Sequence, residues 1–332
     1  ALNNITNSNQ VVTYTVTPTS AQGCAGIPFT VAVTVRPEPR GHNDATPLIC
    51  SDAVVGYNLE ANILNTGLGG NGLISGTTYA WAAAANPDVT GEGSGATSTI
   101  TDVLNNITNV NQVVVYTVTP TSSNGCVGDP FTVSVTVRPE PKGFDDAILV
   151  CSDAAVNYVL SSNIANTGAG GNNLTAGTTY SWVAASNLNV AGESTTAQAG
   201  GTITDVLNNI TNANQVVVYT VTPTSSNGCI GNPFSVSVTV RPEPKGYNDA
   251  TPLTGSDVAL AYDLNTNVAN IGLGGNNLVT GTTYSWVAAA NATVSGESTA
   301  PQAGNIINDV LNNVTNSNQV IVYTFTPTSA DG

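Results

Sequence analysis

The run PFTVSVTV at 130–137 alternates apolar and polar side chains with a period of two, and its apolar positions are mostly β-branched. That is the pattern of a half-buried strand, since successive side chains of an extended chain point to opposite faces. Similar short extended runs lie at 54–61, 77–84, 98–104 and 112–119, each bounded by turn residues. Asn-Gly pairs at 124–125 and 227–228 sit between two such runs, a hairpin signal. No segment carries a sustained 3.6-residue apolar period. LNNITN, at 104–109 and 207–212, is the one place where the spacing predicts even a single helical turn.

The pattern recurs about every 103 residues. RPEP stands at 36–39, 138–141 and 241–244, and a Tyr-x-Trp pair at 79–81, 180–182 and 284–286. A period this long is enough for each copy to bury its own core, so the repeating unit reads as a whole domain and not a solenoid turn. Residues 1–23 correspond to 310–332. The implied organisation is the C-terminal part of a module at 1–40, complete modules at 41–143 and 144–246, and at 247–332 a module without its last strand. The overlap also suggests a window taken from a longer array.

Six or seven short strands in about 100 residues, with one Trp early and a Tyr late, predict an all-β fold of tandem immunoglobulin-like β-sandwiches. Trp81, Trp182 and Trp286 are then core residues of the third strand, and Tyr116 and Tyr219 core residues of the penultimate one. Packing is the simpler role for these aromatics than ligand stacking.

Composition narrows the function. Only 8% of residues are charged, with six Lys+Arg against 21 Asp+Glu and a net charge of −15. Nucleic acid and anionic membrane surfaces both demand basic stripes that this chain lacks. No stretch of 18 apolar residues exists, so no membrane insertion is expected.

The five cysteines fall in two repeating motifs, GC at Cys24, Cys126 and Cys229, and CSD at Cys50 and Cys151. With no CxxC and His42 as the sole histidine, zinc is a poor fit. Disulfides in an exported protein fit better. Two pairings compete. Within modules they are Cys50–Cys126 and Cys151–Cys229, with Cys24 bonded to a partner upstream; between neighbours they are Cys24–Cys50 and Cys126–Cys151. The first is favoured, because an apolar strand and a rigid RPEP separate Cys24 from Cys50.

YTVTPTSSNGCVGDPFTVSVTVRPEP followed by ICSD or VCSD resembles the PKD-like repeats of very large Bacteroidota surface adhesins, the gliding-motility adhesins exported by the type IX pathway being the best-known kind. The resemblance covers essentially the whole chain, although RPEP[KR]G departs from the simpler linkers of that family. It implies a β-sandwich, export to the cell surface, and a stalk or adhesive role, and it supplies no catalytic residues.

All six basic residues lie in the linkers. Arg36, Glu38, Arg138, Glu140, Lys142, Arg241, Glu243 and Lys245 form a charged sequence around two prolines that favour an extended connection. These charges are placed to pair with acidic groups on adjoining modules. Asp44, Asp52, Asp146, Asp153, Asp249 and Asp257 cluster just past the linkers as candidate Ca²⁺ ligands. The neighbouring Arg/Lys oppose a cation, and capping turns explain the acids more simply, so no cofactor is expected. GLGGNG at 67–72 matches a dinucleotide fingerprint only formally, without the strand and helix around it. Asn4, Asn106, Asn173, Asn209, Asn291 and Asn313 head Asn-x-Thr triplets that chance also produces in so Asn- and Thr-rich a chain. Glu92, Glu193 and Glu297 repeat singly in Gly-rich loops, better suited to turns than to paired-carboxylate hydrolysis.

These observations predict a non-enzymatic extracellular repeat protein, a stiff stalk, adhesin shaft or surface filament. Its partners are expected to be neighbouring modules of the same or another copy of the chain, with surface glycans or other cells beyond them. The alternatives are a glycan- or protein-binding array and the accessory region of a larger secreted enzyme.

Overall fold

The computed structural model describes residues 1–250 and 253–330. The chain is a series of β-sandwich modules. Contacts group it into two compact units. One comprises Ala1–Gly143 together with Ile164–Thr178 and Pro223–Asn232; the other comprises Phe144–Asn163, Thr179–Thr222 and Pro233–Gly332.

The first unit opens on an antiparallel pair, β1 (Gln10–Val16) and β2 (Phe29–Val35). The complete sandwich that follows is built on β3 (Leu48–Cys50), β4 (Thr78–Ala83), β5 (Gln112–Thr121) and β6 (Phe131–Arg138), with Ser94–Gly95 at its edge. These strands lie side by side in the order β3, β6, β5, β4. All pair antiparallel except β3, which runs parallel to β6 with Cys50 opposite Arg138. Val103–Asn106, paired to Ala53–Val54 and Val89–Thr90, forms the facing layer.

The period-two pattern determines the core. Phe131, Val133, Val135 and Val137 of β6 point inward and the intervening Thr and Ser outward. They meet Val55, Leu59, Ile63, Val89, Ile100 and Leu104 from the other layer. Trp81 packs edge-on against Tyr116, ring centroids 5.9 Å apart. Trp182–Tyr219 and Trp286–Tyr323 repeat that geometry at 5.8 and 5.9 Å, an arrangement that adds about 0.5–1.5 kcal/mol to burial alone. Each tyrosine hydroxyl donates to an aspartate of the facing layer: Tyr116 to Asp102, Tyr219 to Asp205 and Tyr323 to Asp309, at 2.8–2.9 Å.

The second unit contains β7 (Asp146–Cys151), β8 (Thr179–Ala184), β9 (Gln215–Thr224, its last two residues in the first unit) and β10 (Phe234–Arg241), in the order β7, β10, β9, β8. Here too the first strand is parallel to the last. A further core gathers Leu264, Val268, Tyr284, Trp286 and Ile307 around β11 (Thr283–Ala288) and β12 (Tyr323–Thr328).

Helices appear where alternation predicted strand. The run 54–61 divides into Ala53–Val54, Tyr57–Asn58 and the helix α1 (Leu59–Leu64), and α2 (Leu160–Ala165) and α3 (Leu264–Ala269) repeat it. The Asn58 carboxamide oxygen accepts from the amides of Glu60 and Ala61, closing the N-terminus, while Leu59 and Ile63, four apart, are buried. LNNITN holds no helix: Val103–Asn106 is strand and the turn follows it. No helix among the described residues is long and apolar enough to cross a membrane.

Candidate functional site: a clasp at the module junction

The linker is packed against its surroundings. Pro37 and Pro39, Pro139 and Pro141, and Pro242 and Pro244 are all buried. One asparagine of the Gly-rich loop grips the linker backbone at each junction. Asn71 Nδ2 donates to the Glu38 carbonyl at 2.8 Å, and its Oδ1 accepts from the Arg40 amide at 3.0 Å. Asn172 holds Glu140 and Lys142 at 2.8 and 3.0 Å, and Asn276 holds Glu243 and Lys245 at 2.7 and 2.9 Å. This gives the GLGGNG loop its role. The glycines let it close on the helix, since a methyl at Gly70 would collide with the Ile63 carbonyl. Sequence reasoning missed these asparagines, and the one signal for them was that Asn keeps its place after GG in all three copies.

A second asparagine set anchors the residues just past the linker. Asn62 exchanges two hydrogen bonds with the His42 backbone, both at 2.9 Å, and donates to the Tyr57 hydroxyl at 2.8 Å, which in turn donates to Asp44. Asn163–Tyr158–Asp146 and Asn267–Tyr262–Asp249 repeat the chain. Three of the six candidate Ca²⁺ ligands are thus tyrosine acceptors. The other three, Asp52, Asp153 and Asp257, sit in left-handed turns at φ of 60°, 59° and 64°. Among the described residues no group of three or more His, Cys, Asp or Glu is arranged to hold a metal ion.

The disulfide differs from both pairings that spacing suggested. Cys50 bonds Cys229, 179 residues away, with Cα atoms 5.4 Å apart. Cys50–Cys126 is therefore corrected, and so is Cys151–Cys229, whose second cysteine is already bonded. The reason lies in strand direction. Cys50 is opposite Arg138 at the end of β6, where the linker departs, whereas Cys126 lies in the hairpin before Phe131 at the other end. Seven residues of strand put these ends about 23 Å apart, well beyond the ~7 Å a disulfide spans. The hairpin of the following module reaches the linker end instead, and Cys229 is fully buried there. Cys24 is exposed and Cys126 half-buried.

Around that bond the linker and the hairpin fit closely. A methyl on Gly231 would strike the Pro141 carbonyl. Arg138, expected to find an acid, donates to the Asn227 carbonyl at 3.5 Å, and Asn232 donates to Glu140 at 3.4 Å. Glu140 meets a like charge, Asp52. Burial and then that neighbouring carboxylate push its carboxyl up to about 7. Glu243 is raised in the same way, by burial and by Asp153.

Three of the six sequon asparagines, Asn4, Asn106 and Asn209, are buried, whereas Asn173 is exposed. The Asn106 carboxamide is buried and donates to the Val110 and Val137 carbonyls at 2.7 and 2.9 Å. Asn4 and Asn209 repeat this, and Thr108 and Thr211 close the turn by donating to Asn106 and Asn209. Such side chains stitch two strands together and leave no nitrogen free for a sugar. Glu92, Glu193 and Glu297 each accept from a loop amide, of Asn86, Asn187 and Asn291 respectively.

The PKD-like domain family matches the chain at residues 1–39, 47–141, 149–244 and 254–332. The chain belongs to this family. No curated protein matches it. Solved structures similar to this PKD-like chain include an I-band fragment of titin, 13% identical over 89% of this chain and 95% of that one, with a TM-score of 0.29. The human desmocollin-1 ectodomain is 11% identical, covering 96% and 65%, at 0.23. A SusE-like surface-located polysaccharide-binding protein from the Bacteroides thetaiotaomicron heparin utilisation locus is 12% identical, covering 78% and 44%, at 0.27.

Proposed function

We propose that this PKD-like array is a non-enzymatic extracellular spacer, the shaft of a surface adhesin or filament of the Bacteroidota kind, exported by the type IX route. The observation that carries the reading is Cys50–Cys229, a covalent bond joining successive modules across their linker. Such a bond adds stability to any fold, but placed across a linker it also fixes the junction, which a spacer needs and separately acting modules do not. The bond also fits an oxidising compartment outside the cytoplasm. The buried prolines and the paired hydrogen bonds of Asn71, Asn172 and Asn276 work in the same direction at every linker. Electron microscopy of the purified protein tests this. Particles several modules long with a narrow spread of lengths are expected, and particles collapsed to the size of a single sandwich would overturn the reading.

A further inference from the structure

We propose that the peptide bonds Arg40–Gly41, Lys142–Gly143 and Lys245–Gly246 are latched processing sites for a protease specific for basic residues, and that the asparagine of each Gly-rich loop is the latch. The inference stands apart from the spacer reading, because it concerns how the junctions are cut and not what the array is for.

The residues decide where such an enzyme finds a substrate. Its specificity pocket carries a carboxylate that takes Arg or Lys, and all six basic residues of the chain lie in the linkers. Arg36, Arg138 and Arg241 are each followed by proline, whose ring replaces the amide hydrogen and resists cleavage. That leaves one bond per linker, always between a basic residue and glycine. Between one linker and the next the chain contains no such bond, so every cut falls between modules and leaves each core whole.

The side chains are offered and the backbone is withheld. Arg40, Lys142 and Lys245 are exposed, and Lys142 lines an open cleft beside Thr108 and Asn173. The residue before each is a buried proline. A protease takes its substrate as an extended strand, pairing with the backbone around the bond it cuts. Here those groups are already occupied. Asn172 Oδ1 accepts from the Lys142 amide at 3.0 Å, and the Asn172 amide donates to the Lys142 carbonyl at 3.2 Å. Asn71 holds Arg40 in the same two ways at 3.0 and 3.2 Å, and Asn276 holds Lys245 at 2.9 and 3.2 Å. Beyond the bond, a methyl on Gly41 would strike the Phe131 ring, and one on Gly246 the Asn267 side chain, which leaves no room for another chain. Cleavage therefore waits on local opening, and its rate follows the population in which the asparagine has let go. In that open state water adds across the bond. The hydroxyl joins the Lys142 carbonyl carbon, the C–N bond breaks, and the Gly143 nitrogen leaves as the amine with the proton. The Cys50–Cys229 bond then sorts the sites: Lys142 lies inside the loop it closes, so the pieces stay joined until reduction, whereas Arg40 and Lys245 lie outside it.

The test digests the full chain, its Cys50–Cys229 bond intact, with limiting trypsin and follows each bond by mass spectrometry before and after reduction. A synthetic peptide of residues 138–148, RPEPKGFDDAI, gives the unlatched rate. The Lys142–Gly143 bond of the chain is expected to be cut about 100-fold or more slower than the peptide, its pieces separating only after reduction. Asn172→Ala should speed that cut about tenfold or more and leave Lys245–Gly246 unchanged, and Asn276→Ala should do the reverse. In each variant the unchanged bond reports that the rest of the chain is folded. A parent chain cut as fast as the peptide would overturn the proposal. So would variants that speed every linker bond alike or none of them, or a chain that still resists trypsin with both asparagines replaced.

Discussion

Residues 10–35 and 112–138 are two copies of one strand–hairpin–strand segment, and they fare differently. Tyr116 is fully buried and Phe131 is 4% exposed, whereas Tyr14 and Phe29 are 46% and 52% exposed. Both copies keep the same seven-pair antiparallel ladder. Both also keep the buried asparagine that bridges its own turn to the last strand, Asn4 to Val35 and Asn106 to Val137. In the second copy the burial comes from the tryptophan on β4, the facing layer and the parallel strand, all supplied by residues 44–106. The comparison separates what a segment of this fold makes locally, which is register and turn, from what it only receives, which is burial.

Truncating the same phenylalanine in both copies breaks the comparison most sharply. Phe131→Ala should destabilise its sandwich by about 3–5 kcal/mol, and Phe29→Ala by less than ~1 kcal/mol; hydrogen exchange of the β5–β6 and β1–β2 amides reads the two separately. The cysteines come next. Cys229→Ser should lower the stability of the residues it closes off by about 2–5 kcal/mol, read as a fall in thermal midpoint that reductant reproduces in the parent. Cys24→Ser should leave that midpoint unchanged, because Cys24 is exposed.

The linkers give smaller effects. Asn172→Ala removes both hydrogen bonds to Glu140 and Lys142 and should loosen that junction by about 1–3 kcal/mol. Asn71→Ala tests whether the first linker is held as firmly, by faster exchange of the Arg40 amide. The smallest effect is that of pH. Glu140 has a folded-state value of about 7, above the ordinary 4.5, so between those limits the folded junction binds the extra proton. Its contribution is fully present below about pH 4.5 and is lost as pH rises to about 7. After solvent screening this amounts to on the order of 1 kcal/mol, and Asp52→Asn should flatten the slope.

Much of the architecture is legible in the residues. The alternation at 131–137 gives a strand and its inward face, and Trp81, Trp182 and Trp286 lie in the cores. The helix at 59–64 is not legible, because six residues make fewer than two turns and no period can emerge from them. The disulfide is hidden for another reason. Spacing along the chain says how many residues separate two cysteines but not which end of a sheet each occupies, and Cys50 and Cys126 prove to be at opposite ends of β6. The Asn-x-Thr triplets have a structural role that chance does not supply, because the same pattern makes a turn in which the threonine hydroxyl donates to the asparagine side chain, as Thr108 does to Asn106. The clasp around Glu140 went unseen because charge patterning looks for opposites, and here a carboxyl sits beside a carboxylate.

The bond between Cys50 and Cys229 also decides which parts of the chain feel tension. Pull on the chain from residues before 50 and after 229, and the covalent path crosses one sulfur–sulfur bond; the residues between these two cysteines, 179 positions apart, are left out of it. Their cores, their linker and the Asn172 grip are bypassed for as long as the bond holds. Reduction returns them to the path, where their sandwiches must unfold before the chain yields its extended length of about 600 Å at ~3.4 Å per residue. The redox state of a single pair of sulfur atoms thus decides whether the chain between them bears load at all.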